Sequence, residues 1–136
     1  MKNFVLLYAK DAMTIDITTI GPNTKVKEIK ELFERYDYNS FPVIEDKKMV
    51  GIVTKLDFLK HFIFTPSSMI PNYTKLLEDN VEDIMNRAVF TVTPNTPLTR
   101  VLELMVETKL RSFPVIDSEM RLLGIISRED IIKKLG

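Results

Sequence analysis

Two short stretches of the chain carry a glycine, a hydroxyl and a carboxylate in the same order. Residues 51–57 read Gly-Ile-Val-Thr-Lys-Leu-Asp, and residues 124–130 read Gly-Ile-Ile-Ser-Arg-Glu-Asp. In each stretch a hydrophobic run leads in and an amphipathic helix pattern follows. The hydroxyl of Thr54 or Ser127 therefore stands where a strand passes into a helix. We refer to residues 51–57 as the first turn and to residues 124–130 as the second turn.

A turn of this composition could bind a phosphorylated sugar. The start of a helix offers unpaired N–H groups and a partial positive charge, which together attract anions. The hydroxyl can donate a hydrogen bond to a phosphate or ribose oxygen. Asp57 and Asp130, one helical turn later, can accept two hydrogen bonds from the vicinal hydroxyls of a ribose. Lys55 and Arg128 directly follow the hydroxyl and could reach a phosphate, while the glycine permits a close approach.

The same spacing has a purely structural interpretation. Thr-x-x-Asp and Ser-x-x-Asp are also capping boxes, in which the hydroxyl and the carboxylate only satisfy backbone N–H groups at the start of a helix. The spacing by itself favours capping, so the residues of the two turns leave ligand binding and capping open as alternatives.

Composition excludes several classes of function. The 136 residues are 45% hydrophobic, and 19 basic residues balance 19 acidic ones, so we expect a folded domain without the net charge that favours nucleic acid or an acidic membrane. The absence of cysteine excludes disulfides and thiolate metal sites and suits a cytoplasmic protein. The apolar run at residues 4–8 is too short to span a bilayer. No catalytic triad order, metal motif or Walker loop is visible, so we predict neither an enzyme nor a cofactor.

The chain is an internal duplication. When the sequence is aligned with itself at a shift of 72 positions, Asp-x-Met, Pro-Asn-Thr and Ser-Phe-Pro-Val-Ile are each aligned with a second copy. The second copy has one extra residue after these motifs, so a shift of 73 aligns the two turns. The chain therefore consists of two copies of one unit. We place repeat one at about residues 8–64, a linker region at about 65–80 and repeat two at about 81–136, within a single module that covers residues 1–136.

Each repeat is predicted to fold as β-α-β-β-α, which makes the chain an α+β protein of two tandem repeats related by a pseudo-two-fold axis. Residues 15–20 alternate as a short opening strand, and Thr24 and Thr96 are predicted N-caps of the first helix in each repeat. Hairpin strands follow at 41–44 and 49–53, and again at 113–116 and 122–126. Closing helices are predicted at 55–63 and 128–135. Between the repeats we expect a break at 65–68, a short helix at 71–79, and a turn at 81–85 capped by Asn80.

The order of these motifs resembles the CBS domain, named after cystathionine β-synthase. The Asp-Ile-Met lead-in, the Ser-Phe-Pro-Val-Ile strand and the Gly-x-x-[Thr/Ser]-x-x-Asp turn carry the resemblance, which covers about residues 8–136. Two such units in tandem resemble a CBS pair, or Bateman module. The resemblance implies that the hydroxyl and the aspartate hold the ribose and phosphate of an adenosine ligand in a cleft between the repeats.

The resemblance also implies composite sites, in which the turn of one repeat faces strand starts of the other. Phe90 could then pack on an adenine, although a core position is the alternative. Arg111 could bind a phosphate, with a solvated arginine as the alternative, whereas its counterpart Asn39 is neutral. We therefore expect unequal sites, with tighter binding of phosphorylated adenosine at the first turn. The first site would contain Ile52, Thr54, Lys55, Asp57, Val89, Phe90, Arg111, Ser112 and Pro114, and the second Ile17, Thr18, Asn39, Ser40, Pro42, Ile125, Ser127, Arg128 and Asp130.

The function implied is a stand-alone regulatory, energy-sensing module. It would bind AMP, ADP or ATP, change conformation, and signal to an effector protein that the sequence does not identify. The resemblance further implies a homodimer formed through the closing helices. Two alternatives stay open: a ligand such as S-adenosylmethionine or a dinucleotide, and a structural dimerisation module without a physiological ligand.

Overall fold

The computed structural model describes residues 3–63 and 72–136, which form an α+β fold with two small sheets and thereby confirm the predicted class. The chain divides into two compact units. The first-turn unit contains Thr18–Asp46 and Val50–Val89, and the second-turn unit contains the residues up to Ile17, Lys47–Met49 and Phe90–Gly136. Each unit therefore combines the body of one repeat with the lead-in of the other.

Strands β1 (Ser40–Glu45) and β2 (Lys48–Thr54) form a two-stranded sheet, which belongs to the first-turn unit except for Lys48 and Met49 at the start of β2. The tight turn between them is made by Asp46 and Lys47, with φ of 52° and 68°. Helix α2 (Val26–Arg35) buries an apolar face, because its hydrophobic residues recur at helical spacing. The unit is completed by α3 (Lys55–Lys60), α4 (Tyr73–Leu77) and a 3-10 helix (Val81–Asp83). Its buried core consists of Ile20, Ile29, Phe41, Val43, Val53 and Val81.

The second-turn unit repeats this plan. Strands β3 (Ser112–Ile116) and β4 (Leu122–Ser127) pair antiparallel, with Ser112 opposite Ser127. Its helices are a 3-10 turn (Phe4–Leu6), α1 (Ala9–Ala12), α5 (Leu98–Thr108) and α6 (Arg128–Lys134). The buried core is formed by Phe4, Ala9, Val92, Leu98, Val101, Met105, Phe113, Val115, Ile126 and Ile131.

The hairpin strands and the closing helices confirm the sequence prediction, but the opening strand does not form as predicted. Of residues 15–20, only Ile20 is in a bridge, parallel to Val43, and of the equivalent residues 87–92 only Val92 is in a bridge, parallel to Val115. The prediction was wrong because this segment pairs with β1 at one residue only, and both backbone groups of that residue are hydrogen-bonded there. Ile20 donates to the Pro42 carbonyl at 3.0 Å and accepts from the Ile44 N–H at 2.7 Å.

The predicted helix caps Thr24 and Thr96 are also wrong. The helices begin later, after Lys25 and Pro97. The two threonine hydroxyls instead accept hydrogen bonds from the N–H groups of Gly21 and Thr93, each at 3.0 Å, and so close the turn that precedes the helix.

The short helix predicted at 71–79 is confirmed, since α4 falls within this range, and a 3-10 helix follows Asn80 as expected, although the Asn80 side chain makes no capping hydrogen bond. Residues 65–68 and Pro71 lie outside the described residues. The only histidine, His61, joins the end of α3 to this segment, because its Nε2 lies 2.9 Å from an Asp79 carboxylate oxygen and 3.2 Å from the Leu76 carbonyl. Within the described ranges, every helix is too short or too polar to cross a membrane.

Candidate functional site

The first turn lies where β2 passes into α3. Burial alternates along β2 and leaves Ile52 and Thr54 on its less buried face. Thr54 is the N-cap of α3: its Oγ1 accepts from the Asp57 N–H at 3.1 Å, and its own N–H donates to Asp57 Oδ2 at 2.9 Å. The Thr54 hydroxyl also donates to Asp57 Oδ2 at 2.9 Å.

The second turn has the same geometry between β4 and α6. The Asp130 N–H donates to Ser127 Oγ at 3.2 Å, and the Ser127 N–H and hydroxyl donate to Asp130 Oδ2 at 2.9 and 3.0 Å. A further donor is present here. The Thr14 hydroxyl lies 3.2 Å from Oδ1 and 3.4 Å from Oδ2 of Asp130.

The two carboxylates therefore differ in accessibility. Asp130 is buried, with 8% of its surface exposed, and both of its oxygens accept hydrogen bonds. Asp57 is only partly buried, and its Oδ1 has no hydrogen-bond partner among the described residues.

The capping interpretation is confirmed at both turns, because each closes a capping box. Capping engages Oδ2 of each aspartate and the hydroxyl before it. At the first turn, capping does not use Oδ1 of Asp57, which can still accept a hydrogen bond from a ligand. Capping and ligand binding therefore do not exclude one another there.

The glycines of the turns admit a neighbouring backbone segment. A Cβ on Gly51 would lie 2.8 Å from Met85 Sδ and 3.0 Å from the Asn86 carbonyl oxygen. A Cβ on Gly124 would lie 2.7 Å from Met13 Sδ and 2.9 Å from the Thr14 carbonyl oxygen. The close approach expected from the sequence is thus made in each unit by the lead-in after its Asp-x-Met motif.

These lead-in segments pair with the strand residue that follows the glycine in each turn. Ile52 and Asn86 exchange backbone hydrogen bonds of 3.0 and 2.8 Å, and Ile125 and Thr14 exchange bonds of 2.9 and 2.8 Å. Each lead-in therefore holds its turn through two antiparallel backbone bonds.

The two cations after the hydroxyls are used differently. The Arg128 guanidinium donates to the Lys109 carbonyl at 2.8 Å and to the Leu110 carbonyl at 3.3 Å, just beyond the end of α5. In this structure Arg128 stabilises a helix end, where cations are favoured, instead of extending into solvent toward a phosphate. Lys55 makes no side-chain hydrogen bond or ion pair within residues 3–63 and 72–136.

The structure places most of the other predicted residues at exposed or partly exposed positions of their units, but it buries Pro42 and Pro114. Phe90 is 56% exposed, so the alternative of a core position is wrong. Arg111 is exposed, and its carbonyl accepts from the Arg128 N–H at 3.0 Å, as the Asn39 carbonyl accepts from the Lys55 N–H at 2.9 Å. The predicted residues of the first-turn unit are Thr18, Asn39, Ser40, Pro42, Ile52, Thr54, Lys55, Asp57 and Val89, and those of the second-turn unit are Ile17, Phe90, Arg111, Ser112, Pro114, Ile125, Ser127, Arg128 and Asp130.

Two carboxyl groups away from the turns have lowered pKa values. A hydrogen bond from Lys27, and then its charge, lowers the pKa of Glu78. The pKa of Asp117 is lowered mainly by the backbone N–H of Arg121. A surface groove on the first-turn unit, lined by Thr19, Thr24, Glu28, Glu31 and Arg35 among others, contains none of the predicted site residues.

Sequence reasoning missed Thr14, Asn86 and the two methionines before them as parts of the turns. The signal was present, because Met13 and Met85 are identical residues at equivalent positions of the duplication. Thr14 and Asn86 are equivalent too, but they differ in type, and that difference is what distinguishes the surroundings of Asp130 and Asp57.

Comparison with known proteins places the chain in a family. The CBS domain model matches residues 9–63 and 81–136. The chain therefore belongs to the CBS domain family, with two copies of the domain in tandem.

Individual relatives match most of the length of this chain. The uncharacterized protein MJ1225 of Methanocaldococcus jannaschii is 28% identical over 127 residues, which cover 90% of this chain and 45% of the relative. Its crystal structure superposes with a TM-score of 0.88 at 26% identity, over 96% of this chain and 48% of that one. The chain spans 45%, 23% and 22% of the length of three curated relatives that it matches.

Two solved relatives contain adenosine compounds. CBSX2 of Arabidopsis thaliana, in complex with AMP, is 28% identical with a TM-score of 0.80, and the match covers 93% of this chain and 94% of CBSX2. The CBS domain pair of protein MJ0100, in complex with 5-methylthioadenosine and S-adenosyl-L-methionine, is 25% identical with a TM-score of 0.73, and the match covers 93% of each chain.

Proposed function

We propose that this chain is a regulatory module that binds an adenosine nucleotide in a cleft between its two CBS repeats, with the first turn as its principal ribose and phosphate contact. Binding would shift the equilibrium between conformations, and an effector protein would respond to that shift. Its role would be regulatory, not catalytic.

The observation that carries this proposal is the Asp57 carboxylate. One of its oxygens has no partner in the described part of the chain, although the other is fixed by the Thr54 N–H and hydroxyl. A carboxylate held in this way is oriented in advance and retains an acceptor for a ribose hydroxyl. Charge-assisted hydrogen bonds of this kind are shorter and stronger than those between neutral groups.

The complexes of the relatives favour an adenosine ligand without choosing one. AMP in CBSX2 supports a nucleotide. S-adenosyl-L-methionine in MJ0100 supports the second candidate ligand, which has the same ribose but no phosphate. Lys55 distinguishes the two chemistries, because an ammonium group beside the turn favours the phosphate of AMP and repels the positively charged sulfonium.

The resemblance to the family adds the prediction that Phe90 and Arg111 complete the first site from the other repeat. Both side chains are exposed in their own unit. Arg111→Ala should therefore weaken AMP binding more than it weakens adenosine binding, whereas Phe90→Ala should weaken both equally.

Isothermal titration with AMP, ADP, ATP and S-adenosylmethionine tests the proposal. We expect AMP binding that Asp57→Ala abolishes or weakens at least about tenfold, since a hydrogen bond to a charged group is lost. Asp130→Ala is the matched variant at the second turn and should have the smaller effect. If Asp57→Ala leaves the AMP affinity unchanged while Asp130→Ala abolishes it, the assignment to the first turn is wrong.

A second candidate function, a structural homodimerisation module, is supported by exposed apolar side chains on and just after α3. Leu56, Leu59 and Ile63 are each at least 60% exposed. A module of this kind would form the dimer and give no heat with any of the four ligands.

A further inference from the structure

We propose that Thr14 is an internal hydrogen-bond partner of Asp130 that keeps the second turn from holding a nucleotide. The module would therefore bind one nucleotide per chain, at the first turn. This inference rests on the proposed function. It adds that only the first of the two duplicated turns is available to a nucleotide, and that Thr14 is the residue responsible.

The duplication provides its own comparison. Thr14 and Asn86 occupy equivalent positions, and each exchanges two backbone hydrogen bonds with the isoleucine at the second position of a turn. Their side chains behave differently. The Thr14 hydroxyl donates to the Asp130 carboxylate, whereas Asn86 Oδ1 accepts from the nearby Ala88 N–H at 3.0 Å.

This difference determines what each carboxylate can still accept. At both turns Oδ2 is engaged by the capping hydroxyl and N–H. A ribose must therefore bind largely through Oδ1. That oxygen has no described partner in Asp57, but in Asp130 it already accepts from Thr14, in a residue that is 8% exposed. Because Asp130 is buried, a ribose hydroxyl that reaches Oδ1 would compete with the threonine hydroxyl for this oxygen, and so would gain less than at the Oδ1 of Asp57.

Arg128 does not offset this loss. Its guanidinium is bound to the carbonyls of Lys109 and Leu110, so a phosphate at the second turn would have to detach it from the end of α5. Lys55, its equivalent at the first turn, has no such bond within the described residues. At the second turn, the Asp130 carboxylate and the Arg128 guanidinium are thus both bound by the protein's own atoms.

Titration calorimetry with AMP tests the inference through the number of sites. We expect one site per chain in the wild-type protein and two in Thr14→Val, which keeps the shape of the side chain and removes its hydroxyl. Thr14→Asn, which introduces the residue found at the equivalent position of repeat two, should also give two sites. Thr14→Ser keeps the hydroxyl and should retain one site. Adding Asp130→Ala to Thr14→Val should remove the second site alone.

The outcomes separate this inference from the function on which it rests. Two sites in the wild-type protein, or a single site in both Thr14→Val and Thr14→Asn when their thermal unfolding shows them folded, would overturn the role of Thr14 and leave nucleotide binding intact. No AMP binding to any of these proteins would overturn the proposed function, and this inference with it.

Discussion

At the scale of single residues, two aspartates of the same sequence motif have different environments. Asp57 and Asp130 each close a capping box of the same kind. Only Asp130, however, is buried and has a third hydrogen-bond donor at its carboxylate. The motif itself could be predicted from the sequence, since both turns are spaced alike. The difference could not, because the residue responsible lies more than a hundred positions before Asp130 and reaches it only in the folded unit.

The two turn glycines give a prediction at this scale. Gly51→Ala and Gly124→Ala should each destabilise the protein by about 1–3 kcal/mol, the usual cost of inserting a methyl group into a packed contact. Each new Cβ would lie 3.0 Å or less from a backbone carbonyl oxygen, which cannot rotate away as a side chain would. Urea unfolding monitored by circular dichroism measures the change.

Gly21→Ala is the control for these variants. Its Cβ would have its nearest neighbour, Thr24 Oγ1, at 3.8 Å, which is an ordinary contact. That variant should be neutral or slightly more stable, because alanine restricts the unfolded chain. Equal stability of Gly124→Ala and Gly21→Ala would show that the lead-in segment is not held as closely as described.

At the scale of elements, the sequence predicted the hairpins and the closing helices but misplaced the segments that precede them. The hairpin strands are apolar runs with buried residues such as Phe41 and Phe113, so their sequence pattern alone is sufficient to predict them. Thr24 and Thr96 precede a helical pattern as a cap does, but they close the turn that contains Pro-Asn instead. Hydroxyl groups can satisfy either backbone geometry, and the choice depends on where the chain must turn.

The β3–β4 hairpin leads to a pH prediction. Asp117 accepts from the N–H groups of Glu119 and Arg121 and from Arg121 Nε, at 2.8, 3.0 and 2.8 Å. These contacts lower its pKa below the ordinary 3.8. A carboxyl whose pKa is lowered by folding stabilises the protein above its unfolded-state pKa, and this contribution is lost as the pH falls through the lowered value.

We therefore expect Asp117→Asn to reduce the urea midpoint at pH 7 and to reduce it much less near pH 2. Glu45→Gln is the matched control, because Glu45 occupies the equivalent position at the end of β1. It should change the pH profile little. The same loss at both pH values in Asp117→Asn would show that the charge of this carboxylate does not contribute.

At the scale of the whole molecule, the exposed faces of the closing helices are unequal. On α3, Leu56 and Leu59 are both 60% exposed, and Ile63 follows at 63%. On α6, Ile132 is 66% exposed, but Glu129 stands at the position equivalent to Leu56. In a homodimer formed through these helices, which the second candidate function requires, the face of α3 would contribute more apolar area than the face of α6.

Leu59→Asp should therefore weaken dimerisation more than Ile132→Asp, its matched variant on α6. Burying a leucine side chain is worth roughly 1.5–3 kcal/mol, so a charge in its place should raise the dimer dissociation constant at least about tenfold. Sedimentation equilibrium over a range of protein concentrations measures that constant. Because both positions are exposed, neither change disturbs a core, and thermal unfolding of the two variants should match. A wild-type protein that remains monomeric at high concentration, or a larger effect from Ile132→Asp, would contradict the assignment of the interface to α3.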